Sequence, residues 1–219
     1  TLWDPPRREA TPDPVEIEDR LMARYIGRGI GRYADEWIAE WRDAIDAGLA
    51  YVEAHHPGIP RETLVFTGYS LGALALPPVA AANPERCVAA VIVAGGAPGS
   101  IILQENFGQR LLRQNNRMPY RASGGALDAS HWPTFLDAYL EFSFLDPWHT
   151  APALNDVPVL QVHAAYDAIV PAETGDTLHE RLGRPERWSY PTGHIGLFWW
   201  LPMIKHEIAD WIDRTTSSP

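Results

Sequence analysis

The chain has 219 residues, 46% of them hydrophobic, with a formal net charge of −10 and a single cysteine, Cys87. That length and apolar content support one buried core, or one domain with a sizeable insertion. The acidic balance argues against a nucleic-acid partner, whose backbone is held by clustered Lys and Arg, and one cysteine excludes an intrachain disulfide.

Thr1, Leu2 and Trp3 run into Asp4, Pro5 and Pro6, then a polar, proline-bearing stretch to about Gly31 that reads as a strand end and a long loop. Over residues 34–56, Trp37, Ile38, Trp41, Ile45, Leu49 and Val52 recur at helical intervals, which predicts a long amphipathic helix stopped by Pro57, Gly58 and Pro60. A short apolar run, residues 64–67, then meets Gly68, Tyr69, Ser70, Leu71 and Gly72. Beyond it a helix starts, and Pro77 and Pro78 predict a kink or early restart.

Residues 88–94 form an uninterrupted apolar, β-branched run, the pattern of a parallel strand covered on both faces. Residues 157–162 and 188–190 read as further strands, and 173–182 and 199–212 as helices, with Pro202 placed near a helix start. Strands alternating with helices imply a doubly wound, mostly parallel α/β sheet, with core segments 1–96 and 151–219. The roughly 60 residues between Gly96 and Asp156 are too long for a simple connection. Residues 97–150, rich in aromatics and helical in spacing from Pro133 to Phe144, are expected to form a helical cap. No run approaches the ~18 apolar residues of a membrane-spanning helix. The chain lacks an initiator Met and a leader pattern, which reads as a processed product, a trimmed chain or a fragment; it is expected to be soluble, with the compartment open and the cytoplasm slightly favoured.

The pattern Gly68-x-Ser70-x-Gly72, with a strand before and a helix after, is the signature of a sharp turn that exposes a serine oxygen above a sheet. A side chain at either glycine is expected to collide with that turn. A serine hydroxyl needs an adjacent base, and the base a carboxylate that orients it. Asp167 follows the strand at 157–162 by a short loop. His194 follows the short strand at 188–190 in a turn-forming segment, expected to be a mobile loop.

The order Ser70, Asp167, His194, with Asp167-x-x-Val170-Pro171 and the Gly193-His194 pair, resembles the esterase-like members of the α/β-hydrolase superfamily over residues 64–213. The resemblance implies a serine hydrolase acting on small carboxylic esters, with Ser70 as nucleophile, His194 as general base and acid, and Asp167 as orienting carboxylate. It implies no cofactor and no metal. The backbone N–H of Leu71 is implied as one oxyanion donor. The second would come from a loop after the third strand, but only one helix separates Thr1 from the elbow, so the first strands are expected to be absent. They would belong to a missing N-terminal segment or a second chain completing the sheet.

Peptidase, amidase or acyltransferase chemistry uses the same three groups, and a non-catalytic ligand-binding homologue would keep the same pocket. Tyr69, Trp132, Phe144, Trp148 and Trp199 are candidates to line that pocket, with Trp200 beside Trp199. His163 has no recognisable zinc spacing and reads as a packed histidine. His55 and His56 suit a helix C-terminus, His131 and His149 a solvated surface. Asp146, Asp156 and Asp176 compete with Asp167, but only Asp167 ends a strand with a histidine downstream.

Overall fold

The computed structural model describes residues 19–56, 58–59, 63–99 and 132–217. Among them run α1 (Asp19–His55), β1 (Leu64–Tyr69), α2 (Leu71–Ala81), β2 (Cys87–Val93), α3 (Trp132–Phe142), the short α4 (Pro147–Thr150), β3 (Val159–Ala164), α5 (Ala172–Arg181), β4 (Glu186–Tyr190) and α6 (His194–Thr216). A single 3-10 turn, Ala151–Leu154, joins α4 to β3.

The four strands lie in sequence order, β1-β2-β3-β4, and every pair is parallel. Thr67 pairs with Val91, Val91 with Leu160 and Val162 with Trp188. β2 and β3 are the interior strands, which explains their apolar runs: side chains pointing either way meet a helix. On one face Ala73, Leu76 and Ala80 of α2 and Leu178 of α5 pack onto Ala90 and Ile92. On the other, Leu197, Ile204, Ile208 and Trp211 of α6 cover Val91, Val93, Leu160 and Val162. Helices therefore cover both faces of a parallel sheet, and among the described residues its strands are few. Of the expected cap, residues 100–131 lie outside the described residues, as do residues 1–18.

Three local expectations require correction. Residues 19–31 are helical, not a loop, so α1 is 37 residues long. Its first half buries Met22, Ala23, Ile26, Ala34 and Ile38, and four of these meet Phe135 and Tyr139 of α3 in a small core of their own. The glycines that read as loop punctuation let the helices touch: a Cβ on Gly27 would run into the Phe135 carbonyl oxygen, and one on Gly31 would lie 2.6 Å from that of Tyr139. Second, α2 continues unbroken through Pro77 and Pro78. Every residue from Ala73 to Ala80 is buried, and that packing offsets the ~3 kcal/mol typical of an interior proline. Third, α6 begins at His194, well before residue 199, so Pro202 lies inside the helix.

Two carboxylates fasten the helical pair to the sheet domain. Asp35 of α1 accepts the backbone N–H groups of Phe144 and Leu145, each at 2.8 Å. Asp146 is fully buried and accepts the Tyr139 hydroxyl at 2.6 Å and the amides of Gly99 and Trp148 at 2.8 Å. Burial pushes its carboxyl above the ordinary range, although the hydrogen bonds from Tyr139, Trp148 and Gly99 oppose the rise.

Gly27→Ala is expected to destabilise the protein by about 1–3 kcal/mol through overpacking. Gly29→Ala, whose added methyl meets nothing within 4 Å, should stabilise it by up to ~1 kcal/mol through helix propensity; urea unfolding of the two variants checks both signs. A carboxyl raised in the folded state stabilises most below its unfolded pKa, and that contribution is lost as pH rises through the folded value. Asp146→Asn should therefore flatten the fall in urea midpoint as pH rises above the ordinary carboxyl range, relative to the wild type.

Candidate active site

Parallel strands bring all their carboxyl ends to one edge of the sheet, and the three candidate residues follow three of those ends. Ser70 joins β1 directly to α2. Its backbone sits at φ 51° and ψ −114°, a conformation that costs a serine ~1–3 kcal/mol and persists only when surroundings enforce it. Here they do: Ser70 N–H donates to Val93 O and Ala73 N–H to Ser70 O, both at 2.9 Å. Gly68 is needed for closeness, since a Cβ there would lie 2.7 Å from the Gly72 carbonyl oxygen. Gly72 is not: among the described residues a Cβ there meets nothing within 4 Å, which corrects the expectation that both glycines are sterically required. Leu71, at the first position of α2, has an amide with no acceptor in its own helix.

Asp167 ends the loop after β3, buried, with Oδ1 accepting the amides of Ile169 at 2.9 Å and Val170 at 2.8 Å. Its Oδ2 stands 2.6 Å from Nδ1 of His194. An ionised carboxylate only accepts, so Nδ1 carries the proton and Nε2 is left as the acceptor. Nε2 lies 2.8 Å from Ser70 Oγ. The structure thus brings Ser70, His194 and Asp167 into one hydrogen-bonded line. His194 is not on a mobile loop, as its position in a turn-forming segment led one to expect. It is the buried first residue of α6, and two backbone bonds lock its approach to the Asp167 loop: Ala165 N–H to Tyr190 O at 2.9 Å and Tyr166 N–H to Thr192 O at 3.0 Å.

The pocket candidates fare differently. Tyr69, next to Ser70, is 41% exposed. Trp148 is engaged elsewhere, with the Arg181 guanidinium 5.0 Å from its ring centre and Arg181 Nε donating to its carbonyl. Phe144 and Trp199 are solvent-exposed, and the side chain of Trp132 lies outside the described residues. Among the described residues, Phe198 lies beside His194, with ring centres 5.2 Å apart and one helical turn along α6, and the sequence did not single it out. His163 is buried against Gly175 of α5, and burial pushes its pKa down. His149 reaches the Leu140 carbonyl at 2.9 Å rather than standing free, and His131 lies outside the described residues. Among the described residues no three His, Cys, Asp or Glu side chains converge to hold a metal ion, and no helix is long and apolar enough to cross a membrane.

No protein-family model matches the sequence, and no curated protein matches it. Solved structures do. A carboxylesterase of the thaumarchaeon Nitrososphaera gargenis matches over 82% of this chain and 72% of its own, with a TM-score of 0.52 and 12% identity. An α/β-hydrolase enzyme from a sediment metagenome of the Mar Chica lagoon, Morocco, matches over 81% and 70%, with a TM-score of 0.51 and 12% identity. The chain has the α/β-hydrolase fold. A Pyrococcus furiosus esterase, at a TM-score of 0.50 and 13% identity, aligns over 78% of this chain but only 59% of its own.

Within this fold the turn before His194 is packed more closely than any motif announces. A Cβ on Gly196 would fall on the Thr192 hydroxyl, and Thr192 carries the carbonyl that ties the two loops together. Gly196→Ala is expected to slow covalent labelling of Ser70 by a fluorophosphonate roughly 10²-fold, the scale of an ångström-level misplacement. Adding Thr192→Ala should restore most of the rate by removing the obstructing oxygen. An unchanged rate in Gly196→Ala would refute the role.

Proposed function

We propose that this protein is a serine hydrolase that cleaves small carboxylic esters through an acyl-enzyme. The observation that carries the reading is the unbroken line from Ser70 Oγ to His194 Nε2, at 2.8 Å, and from His194 Nδ1 to Asp167 Oδ2, at 2.6 Å. Ser70 Oγ attacks the acyl carbonyl carbon while its proton passes to Nε2. Asp167, fixed by two amides at its other oxygen, orients the ring and stabilises the imidazolium. The tetrahedral intermediate collapses, the ester C–O bond breaks, and the imidazolium returns the proton to the departing alkoxide. Water then repeats the sequence on the acyl-serine, releasing the acid and restoring Ser70.

The charge developing on the carbonyl oxygen meets the free Leu71 amide at the positive end of α2. Tyr69 and Phe198 flank the serine and the base and give the substrate apolar walls. The preference for esters draws support from the neighbouring folds, which include a carboxylesterase and an esterase. The same three groups also serve peptidase, amidase or acyltransferase chemistry, so the leaving group must be measured.

A fluorophosphonate probe should label the wild type and fail on Ser70→Ala, while Asp167→Asn should lower ester turnover by as much as ~10⁴ by presenting the wrong tautomer. Aryl esters of increasing acyl length, run beside aminoacyl amides, separate the substrate classes. Cleavage of amides without esters would overturn the ester assignment, and a wild type that takes no label would make the protein a ligand-binding homologue.

A further inference from the structure

The first half of α1 carries charge opposite in sign to the chain as a whole. Residues 20–34 hold arginines at 20, 24, 28 and 32 and no Asp or Glu, within a protein of net charge −10. A four-residue spacing keeps these positions on one helix face, where like charges repel, and it sets Leu21 and Tyr25 between them. Arg24, Arg28 and Arg32 are exposed, and Leu21 and Tyr25 are each 55% exposed. The other face is committed, since Met22, Ala23, Ile26 and Ala34 pack against Phe135 and Tyr139 of α3.

A groove of about 260 Å³ opens beside these side chains, lined by Leu21, Arg24, Tyr25 and Arg28 of α1 and by Glu141 and Phe142 of α3. Arg24 meets the Glu141 carboxylate at 3.3 Å, with both side chains more than half exposed, and such open pairs hold weakly. Among the described residues Arg28 and Arg32 form no ion pair. Both guanidinium groups instead lie over one ring, 4.5 and 5.2 Å from the centre of Phe142. An arginine on a ring face keeps N–H donors for another partner, and its flat fork matches an oxyanion. Two cations gathered on one ring without a counter-charge attract an anion between them.

We infer that this groove binds a single small amphiphile with an oxyanion head: the head sits between Arg28 and Arg32, and a short apolar body lies along Leu21, Tyr25 and Phe142. The groove's volume falls just under the ~300 Å³ at which small-molecule pockets begin. An extended anionic surface such as a membrane is disfavoured, because a chain of net charge −10 is repelled from it. A lone head group escapes that repulsion, since carboxylates more than roughly 8 Å away are screened at physiological salt. The Glu141 carboxylate in the same groove repels such a head and limits its affinity. Because both helices wall the groove, the bound body bridges α1 and α3.

Arginine-selective modification by phenylglyoxal, mapped by peptide mass, tests the site in the Ser70→Ala chain beside the wild type, so the result stands apart from the proposed hydrolase chemistry. Arg28 and Arg32 should react in the free protein. Monomeric octyl phosphate at about ten times its Kd should slow both roughly 10-fold, whereas inorganic phosphate or octanol at the same concentration should not. By calorimetry, Arg28→Gln combined with Arg32→Gln should raise the Kd of octyl phosphate about 10-fold or more, the scale of lost charge-assisted hydrogen bonds. Glu141→Gln should lower that Kd about two-fold or more, the scale of one surface charge, a gain that damage to the fold does not produce. Arginines that stay unreactive in the free chain, protection by octanol, equal protection by inorganic phosphate, or a Kd that rises in Glu141→Gln would each overturn the inference. So would attachment to vesicles of anionic phospholipid without binding of monomeric octyl phosphate.

Discussion

Parallel register is the constraint on which this molecule depends. With all four strands pointing the same way, the turns that follow β1, β3 and β4 emerge at one edge, and residues 124 positions apart in sequence come within hydrogen-bonding distance there. The sheet does not merely support the serine. Its second strand takes the Ser70 amide, so the strained serine backbone is held by the same ladder that orders the core. Conformational strain at Ser70 and cohesion of the interior strands are two views of one hydrogen-bond array.

The parts of the fold that were legible in the sequence are those in which a single physical signal dominated. β2 and β3 are buried on both faces, and a strand covered on both sides must be apolar at consecutive positions rather than alternate ones. Ser70, Asp167 and His194 could be picked out because each follows a strand, although proximity itself came only with the structure. The first half of α1 was illegible because glycine has two uses. Gly27 and Gly31 resemble loop residues by propensity, whereas their role is to let the α3 backbone approach, and that partner lies more than a hundred residues away. The start of α2 was legible but its continuation was not, since local proline chemistry argues against the helical path that tertiary burial then enforces.

The pocket is where sequence reasoning did least. Aromatic residues near a motif in sequence need not face it, and α6 illustrates the point: the Phe198 ring lies tilted against that of His194 while Trp199, one residue on, is solvent-exposed. A rotation of about 100° per residue decides between them. No composition count carries that phase unless the helix start is known, and His194 as the first residue supplies it.

The small core between α1 and α3 shares no residue with the two cores that clamp the sheet. Asp35 and Asp146 tie it to the turns beyond α3. The helical pair thus has an apolar core of its own, and its ties to the rest include Arg86 donating to Glu53 of α1 at 2.6 Å. The helical pair can open as a subglobal unfolding event while the sheet, and the three residues mounted on it, stay assembled. Proteolytic nicking and early thermal loss would begin in that pair, leaving a smaller chemically intact remnant rather than a fully unfolded chain.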